Sequence, residues 1–242
     1  KLRLVTVLKK MGYVVGVTGD GVNDALALKR ADVGLAMGES GTDVAKEASD
    51  IVLTDDNFST VVSAVEEGRT IYNNILKSIT YLLSGNLSEI LFVFLSTLFG
   101  LPNPLFPTQI LWINLVTDGL PALALASDNK DQSVLSKKPR NPNAPILSNH
   151  RLIFILTSGI ALSLLFILVF NAVIKISHSE ILARTVVFNL LIVSHMVLAF
   201  IVRGRSMFKI NKFLILGVLA TLILQAVITF NPFFQSIFRL GL

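Results

Sequence analysis

Five uninterrupted apolar stretches, each close to the ~20 residues an α-helix needs to cross about 30 Å of hydrocarbon, constrain this chain more than anything else in it. They fall at residues 78–99, 107–126, 152–173, 185–202 and 213–230. A soluble protein of 242 residues has neither the interior to bury five such helices nor the polar surface to cover them. The sequence therefore predicts an all-α helical membrane domain. A composition of 52 % hydrophobic and 15 % charged residues agrees.

Charge is concentrated at one end. Residues 1–77 hold 20 of the 37 Lys, Arg, Asp and Glu residues, whereas residues 78–126 hold two. The expected organisation is a polar head over 1–77, ending in a stalk helix, followed by a membrane domain over 78–242. Lys130, Lys137, Lys138, Arg140 and Arg151 lie between the second and third spans, and Arg203, Arg205, Lys209 and Lys212 follow the fourth. The alternate connections are poorer in positive charge, so the positive-inside rule predicts that the head and these two loops are cytoplasmic. Topology also accounts for the net charge of +5, and no nucleic-acid partner is needed to explain it. The lack of cysteine excludes a disulfide framework, a thiolate nucleophile and a zinc-cysteine site. Leu4, Val5 and Leu8 begin at once with helical spacing and no initiator Met precedes them, so the chain is expected to be a fragment.

Within the head, Gly12–Val17 reads as a buried strand that runs through TGDGVND into a helix over Ala25–Arg30. Ala31–Met37 and Ile51–Thr54 read as further strands, with a helix over Gly41–Ala48 between them. This alternation predicts the latter part of a doubly wound α/β domain, with ligands at the carboxyl end of the strands. Asp20, Asn23 and Asp24 place two carboxylates and an amide at one strand end, a hard oxygen set suited to Mg²⁺ beside a phosphate. Gly19 and Gly21 allow the backbone to approach closely. An Asp-Gly turn before a helix cap is also a common structural device.

The segment TGDGVNDA at 18–25, continued by ADVGLAMG at 31–38, closely resembles the phosphorylation-domain signature of P-type cation-transporting ATPases, members of the haloacid-dehalogenase-like superfamily. The resemblance implies that Asp20 helps to hold catalytic Mg²⁺ and that Asn23 and Asp24, with Gly19 and Gly21, line the phosphoryl site. It also implies that Lys1, in the segment KLRLV, contacts the phosphate. The family's phosphorylated aspartate in DKTGT does not occur in these 242 residues. Nor do its nucleotide-binding domain, actuator domain and first four membrane helices. By that resemblance ATP is bound largely by parts of the pump outside this chain, and the chain alone should not hydrolyse it.

Glu89 and Asp118 are the only acids inside the predicted spans, and each costs at least ~2.5 kcal/mol at the bilayer centre if unpaired. Asn86 and Glu89 stand three apart on one helix, and Asn114, Thr117 and Asp118 stand at i, i+3 and i+4 on the next. Pro121 lacks the N–H that would bond the Thr117 carbonyl, which predicts a broken turn there. An oxygen-only cluster suits a hard cation. The segments SGNLSEI and WINLVTDGLPA resemble the fifth and sixth membrane helices of the calcium-pump branch. This implies that Asn86, Glu89, Asn114, Thr117 and Asp118 bind the transported cation, Ca²⁺ or a related divalent ion such as Mn²⁺.

His195 stands where the resembling helix of two-site calcium pumps carries an acid. A neutral imidazole is a poor Ca²⁺ ligand, so a packed or hydrogen-bonded histidine and a single Ca²⁺ site are expected. Three rival readings remain at this point: a pump for Na⁺, K⁺ or H⁺, a membrane-anchored dehalogenase-like phosphatase, and a passive channel. The expected partners are the lipid bilayer and the N-terminal portion of the same pump.

Overall fold

The computed structural model describes residues 1–130, 134–141, 144–204 and 211–241. The chain divides into two compact units, Lys1–Arg69 with 133–144 and 70–132 with Pro145–Leu242. Each is described by itself.

The first unit is built on three parallel strands in the order β1 (Gly16–Gly19), β2 (Val33–Met37), β3 (Ile51–Leu53). Helices α1 (Leu2–Lys10), α2 (Ala25–Arg30) and α3 (Asp43–Glu47) alternate with them. Val5, Val15 and Ala27 form one small core, and Leu28, Ala36 and Ala45 form another. The first strand starts later than Gly12 because pairing begins at Gly16 with Val33, while the Val15 N–H is taken by the Asp32 carboxylate at 2.9 Å. Tyr13 and Val14 are consequently exposed. Helix α3 is shorter than Gly41–Ala48 because Thr42 is its N-cap, accepting from the Ala45 N–H. Asp50 accepts from the Gly34 N–H, and Asp56, at φ 47°, from three successive N–H groups, Gly38, Glu39 and Ser40. The side chains of several of the head's acids thus hold the ends of its strands and loops.

Among the described residues, five helical segments are long and apolar enough to cross a membrane. Helix α4 runs without a break over Phe58–Leu98. The second crossing, Pro107–Ala126, is three pieces: α5 (Pro107–Trp112), a π-helical turn (Ile113–Thr117) and α6 (Gly119–Ala126). The third, fourth and fifth are α7 (Asn149–Ser177), α8 (Glu180–Arg203) and α9 (Lys212–Phe230), each longer at one or both ends than its apolar run. Ser148, Ser179 and Asn211 cap them. A short helix not anticipated from the sequence, α10 (Pro232–Phe238), begins at a proline with Asn231 as its cap.

The core of this unit has two parts. Phe92 of α4 packs edge-on against Phe166 and Phe170 of α7, backed by Phe188, Leu191 and Ile192 of α8. Leu125, Ala199 and Leu214 centre the other. The outward faces remain apolar, with Leu115, Leu168 and Ile176 more than two-thirds exposed, as befits side chains whose solvent is lipid.

At one end of the bundle the Asp128 carboxylate is fully buried and binds Lys77 at 2.9 Å, Arg203 at 3.1 Å and Asn211 at 2.9 Å. Asn74 donates to the Asp128 carbonyl at 2.7 Å. Arg203, which reads in the sequence as one more topological charge, is 4 % exposed and belongs to this hub. Arg205 and Lys209 lie outside the described residues.

Candidate cation site and the Asp20 loop

Glu89 on α4, Asp118 at the head of α6 and His195 on α8 converge in the middle of the second unit. Their exposures are 5 %, 1 % and 0 %. One ligand atom from each lies within 4.8 Å of the others. His195 Nδ1 stands 3.0 Å from Asp118 Oδ1 and 4.0 Å from Glu89 Oε1. The Tyr81 hydroxyl donates to Asp118 Oδ1 at 3.0 Å, and the Asn114 amide to Glu89 Oε2 at 3.3 Å. No N–H or O–H among the described residues reaches Glu89 Oε1 or Asp118 Oδ2, although both atoms are buried. Buried acceptors are almost always paired, because an unpaired one costs about 1–3 kcal/mol and a charged one more. Two such oxygens in one cluster, with an imidazole nitrogen beside them, are ligand atoms that could hold a cation.

The backbone makes this approach possible. A Cβ on Gly85 would meet His195 Cε1 at 2.9 Å and Asp118 Oδ2 at 3.3 Å, so only glycine lets α8 and the start of α6 come this close to α4. In the π turn the Asp118 N–H reaches back five residues to the Ile113 carbonyl at 2.9 Å. The distortion therefore lies one turn earlier than the position of Pro121 predicts. Pro121 sits in the first turn of α6, where its missing N–H has no partner to lose.

Of the five expected oxygen ligands, Glu89 and Asp118 meet in the cluster, and Asn114 joins it through Glu89. Asn86 shares a groove of about 590 Å³ with Glu89 and Asn114, and its buried Oδ1 has no partner among the described residues. The Thr117 hydroxyl donates to the Ile113 carbonyl at 3.0 Å, which ties it to the π turn. Tyr81, Gly85 and Ser88 are features the sequence reading passed over. Gly85 and Tyr81 stand four and eight residues before Glu89, towards the same side of the helix, whereas Ser88 lies about 100° around it and is found only through His195.

In the first unit Asp20 stands exposed at the carboxyl end of β1, with Asn23 exposed beside it. Asp24 folds back under the loop: its Oδ2 accepts from the Asp20 N–H at 3.3 Å, and a Cβ on Gly19 would lie 2.5 Å from its own Cβ. Lys1 Nζ stands 2.8 Å from Asp24 Oδ1. That hydrogen bond, ahead of any other influence, holds the Asp24 carboxyl below its usual range. Lys1, about twenty residues away in sequence, is thus brought to the Asp20–Asp24 loop at one strand end. Gly21 begins the short turn into α2, its carbonyl accepting from the Asp24 N–H at 3.0 Å.

A multi-pass helical membrane protein with a buried carboxylate and imidazole cluster is the class these features define. The chain belongs to the family described as "Cation transporting ATPase, C-terminus", whose model matches residues 102–241. It is 43 % identical to the "Calcium-transporting ATPase" of Bacillus subtilis over 99 % of its own length, which is 28 % of that relative. It is 42 % identical to "Calcium-transporting ATPase 1" of Schizosaccharomyces pombe, again over 99 % of this chain and 27 % of the other. Over 61 % of its length it is 55 % identical to the "Calcium-transporting ATPase" of Plasmodium falciparum. The chain spans less than a third of the length of the relatives it matches.

Proposed function

We propose that the complete protein is an ATP-driven P-type pump that exports Ca²⁺, or a related divalent cation such as Mn²⁺, from the cytoplasm. The observation that carries this reading is the cluster of Glu89, Asp118 and His195 inside a membrane bundle, in which the buried Glu89 Oε1 and Asp118 Oδ2 have no hydrogen-bond partner among the described residues. Burying two carboxylates, each with one oxygen left unpaired, is costly, and a cation bound between them removes the penalty. The names of the relatives support the choice of Ca²⁺. A phosphatase merely anchored in the membrane gives Glu89 and Asp118 no role.

The first unit, on this reading, is the C-terminal part of a haloacid-dehalogenase-like phosphorylation domain, residues 1–77 lie in the cytoplasm, and residues 78–242 form the membrane domain. The exposed Asp20 carboxylate, at a strand end beside exposed Asn23, fits a hard Mg²⁺ ion and would hold it. Mg²⁺ supplies charge neutralisation for phosphoryl transfer. Lys1 and Asp24, already paired, orient the loop against the phosphoryl group, and Gly19 and Gly21 keep its backbone close. ATP and the phosphorylatable aspartate belong to the N-terminal portion of the pump. One cation per cycle follows from one cluster.

The test is Asp118→Asn in the complete pump. Cation-dependent phosphorylation from ATP should be lost, while phosphorylation from inorganic phosphate, which needs no cation at Asp118, should persist. Normal Ca²⁺ activation in the variant would overturn the reading.

A further inference from the structure

We propose that His195 is a direct nitrogen ligand of the transported cation, so that the site accepts a first-row divalent transition metal such as Mn²⁺ in preference to Ca²⁺. This rests on the reading of Glu89 and Asp118 as cation ligands and deepens it. The Ser88 hydroxyl has a single proton, which is donated to the Gly85 carbonyl at 2.7 Å. Facing His195 Nε2 at 3.3 Å, Ser88 Oγ can therefore only accept. That network assigns the ring proton to Nε2 and leaves the lone pair of the neutral imidazole on Nδ1.

Nδ1 points at carboxylate oxygens, Asp118 Oδ1 at 3.0 Å and Glu89 Oε1 at 4.0 Å. These buried groups need a positive charge between them, either a proton on Nδ1 donated to Asp118 Oδ1 or a metal ion that takes its place and is ligated by all three. Histidines that bind metals commonly have the other ring nitrogen fixed by a hydrogen bond, which is the part Ser88 plays here. The spacing is suitable, since two ligands each about 2.1 Å from an ion and at right angles stand about 3.0 Å apart. Imidazole adds little for Ca²⁺, which takes oxygen, but binds first-row transition metals well, and the two carboxylates keep the site hard enough for Mn²⁺.

The experiment uses the full-length pump and Mn²⁺ itself. Pulsed electron paramagnetic resonance of bound Mn²⁺ should show modulation from a directly bound ¹⁴N, and His195→Asn, which offers an amide of similar reach, should remove it. In the same variant the concentration of Mn²⁺ for half-maximal phosphorylation should rise about tenfold or more relative to that of Ca²⁺, on the scale of altered metal-site partners. Saturable Mn²⁺ binding without nitrogen modulation, or equal losses for both ions, would overturn the nitrogen ligand and leave the carboxylate site standing. Absence of saturable binding of either ion, unaltered by Asp118→Asn, would overturn the underlying site as well.

Discussion

Gly85→Ala is the sharpest probe of whether α4, α6 and α8 meet as described. In an ordinary helix interior the change should stabilise by about 1 kcal/mol, because alanine is the better helix former. Here the new methyl would lie 2.9 Å from His195 Cε1, closer than such carbons ever stand, and 3.3 Å from Asp118 Oδ2. The His195 ring is 0 % exposed, so it has no open space to swing into. Overpacking of this kind costs about 1–3 kcal/mol, which offsets or exceeds the helix gain. Any relief comes from moving the ring or Asp118, and a displacement worth about 1.4 kcal/mol is a tenfold change in an equilibrium constant. In the complete pump we therefore expect a tenfold or greater rise in the cation concentration for half-maximal phosphorylation, with earlier thermal inactivation. Gly68→Ala on the same helix is the control, because a Cβ there meets nothing within 4 Å and should give the helix gain alone. Equal behaviour of the two variants would refute the close approach.

Other outcomes can be measured alongside. Asp128→Ala should destabilise the membrane unit by about 3–5 kcal/mol, read as faster thermal inactivation, because it strips the carboxylate from buried Arg203; a mild effect would show the hub to be unimportant. Asp56, whose carboxyl is drawn down to about 2 chiefly by its hydrogen bonds with Ser40, should support the 38–40 loop fully above the ordinary aspartate range. Because its folded pKa is the lower one, that support is lost as pH falls toward 2. Amide protection at Gly38 and Ser40 should drop between about pH 4 and pH 2 in the wild type, and Asp56→Asn should already be low at pH 5. Protection independent of pH across that window would count against the capping role.

Much of this architecture can be read directly from the residues. Apolar runs longer than soluble proteins carry place the five crossings, and alternating strand and helix signals in the head place its three strands to within a few residues. Glu89 and Asp118 are legible because an acid in hydrocarbon needs a reason. What periodicity on one helix cannot disclose is which residues on other helices arrive opposite. Tyr81 and Ser88 are ordinary polar residues until Asp118 and His195 are brought to them, and Asp128 reads as a loop acid until Lys77, Arg203 and Asn211 close on it. In the sequence His195 stands apart from the carboxylates because imidazole suits Ca²⁺ poorly, yet in the fold it joins their cluster. Pro121 drew attention to the right helix and the wrong turn, since a proline in the first turn of α6 disrupts nothing.

The π turn makes residue count, and not only residue identity, a determinant of this site. Upstream of it Gln109 and Trp112 are moored to the Phe238 carbonyl and to Gln225. Downstream, Asp118 is moored to Tyr81 and His195. Deleting one residue between these anchorages would leave the Asp118 N–H and the Ile113 carbonyl as an ordinary i→i−4 pair, so the two ends would keep their places while the wide turn between them closed. Both moorings could then hold, joined by a regular α-helix. Leu115, 78 % exposed on the outer surface, can be exchanged for many apolar side chains without touching that geometry. A one-residue deletion should therefore spare the moorings and remove the π turn, which no substitution at an outward position would do.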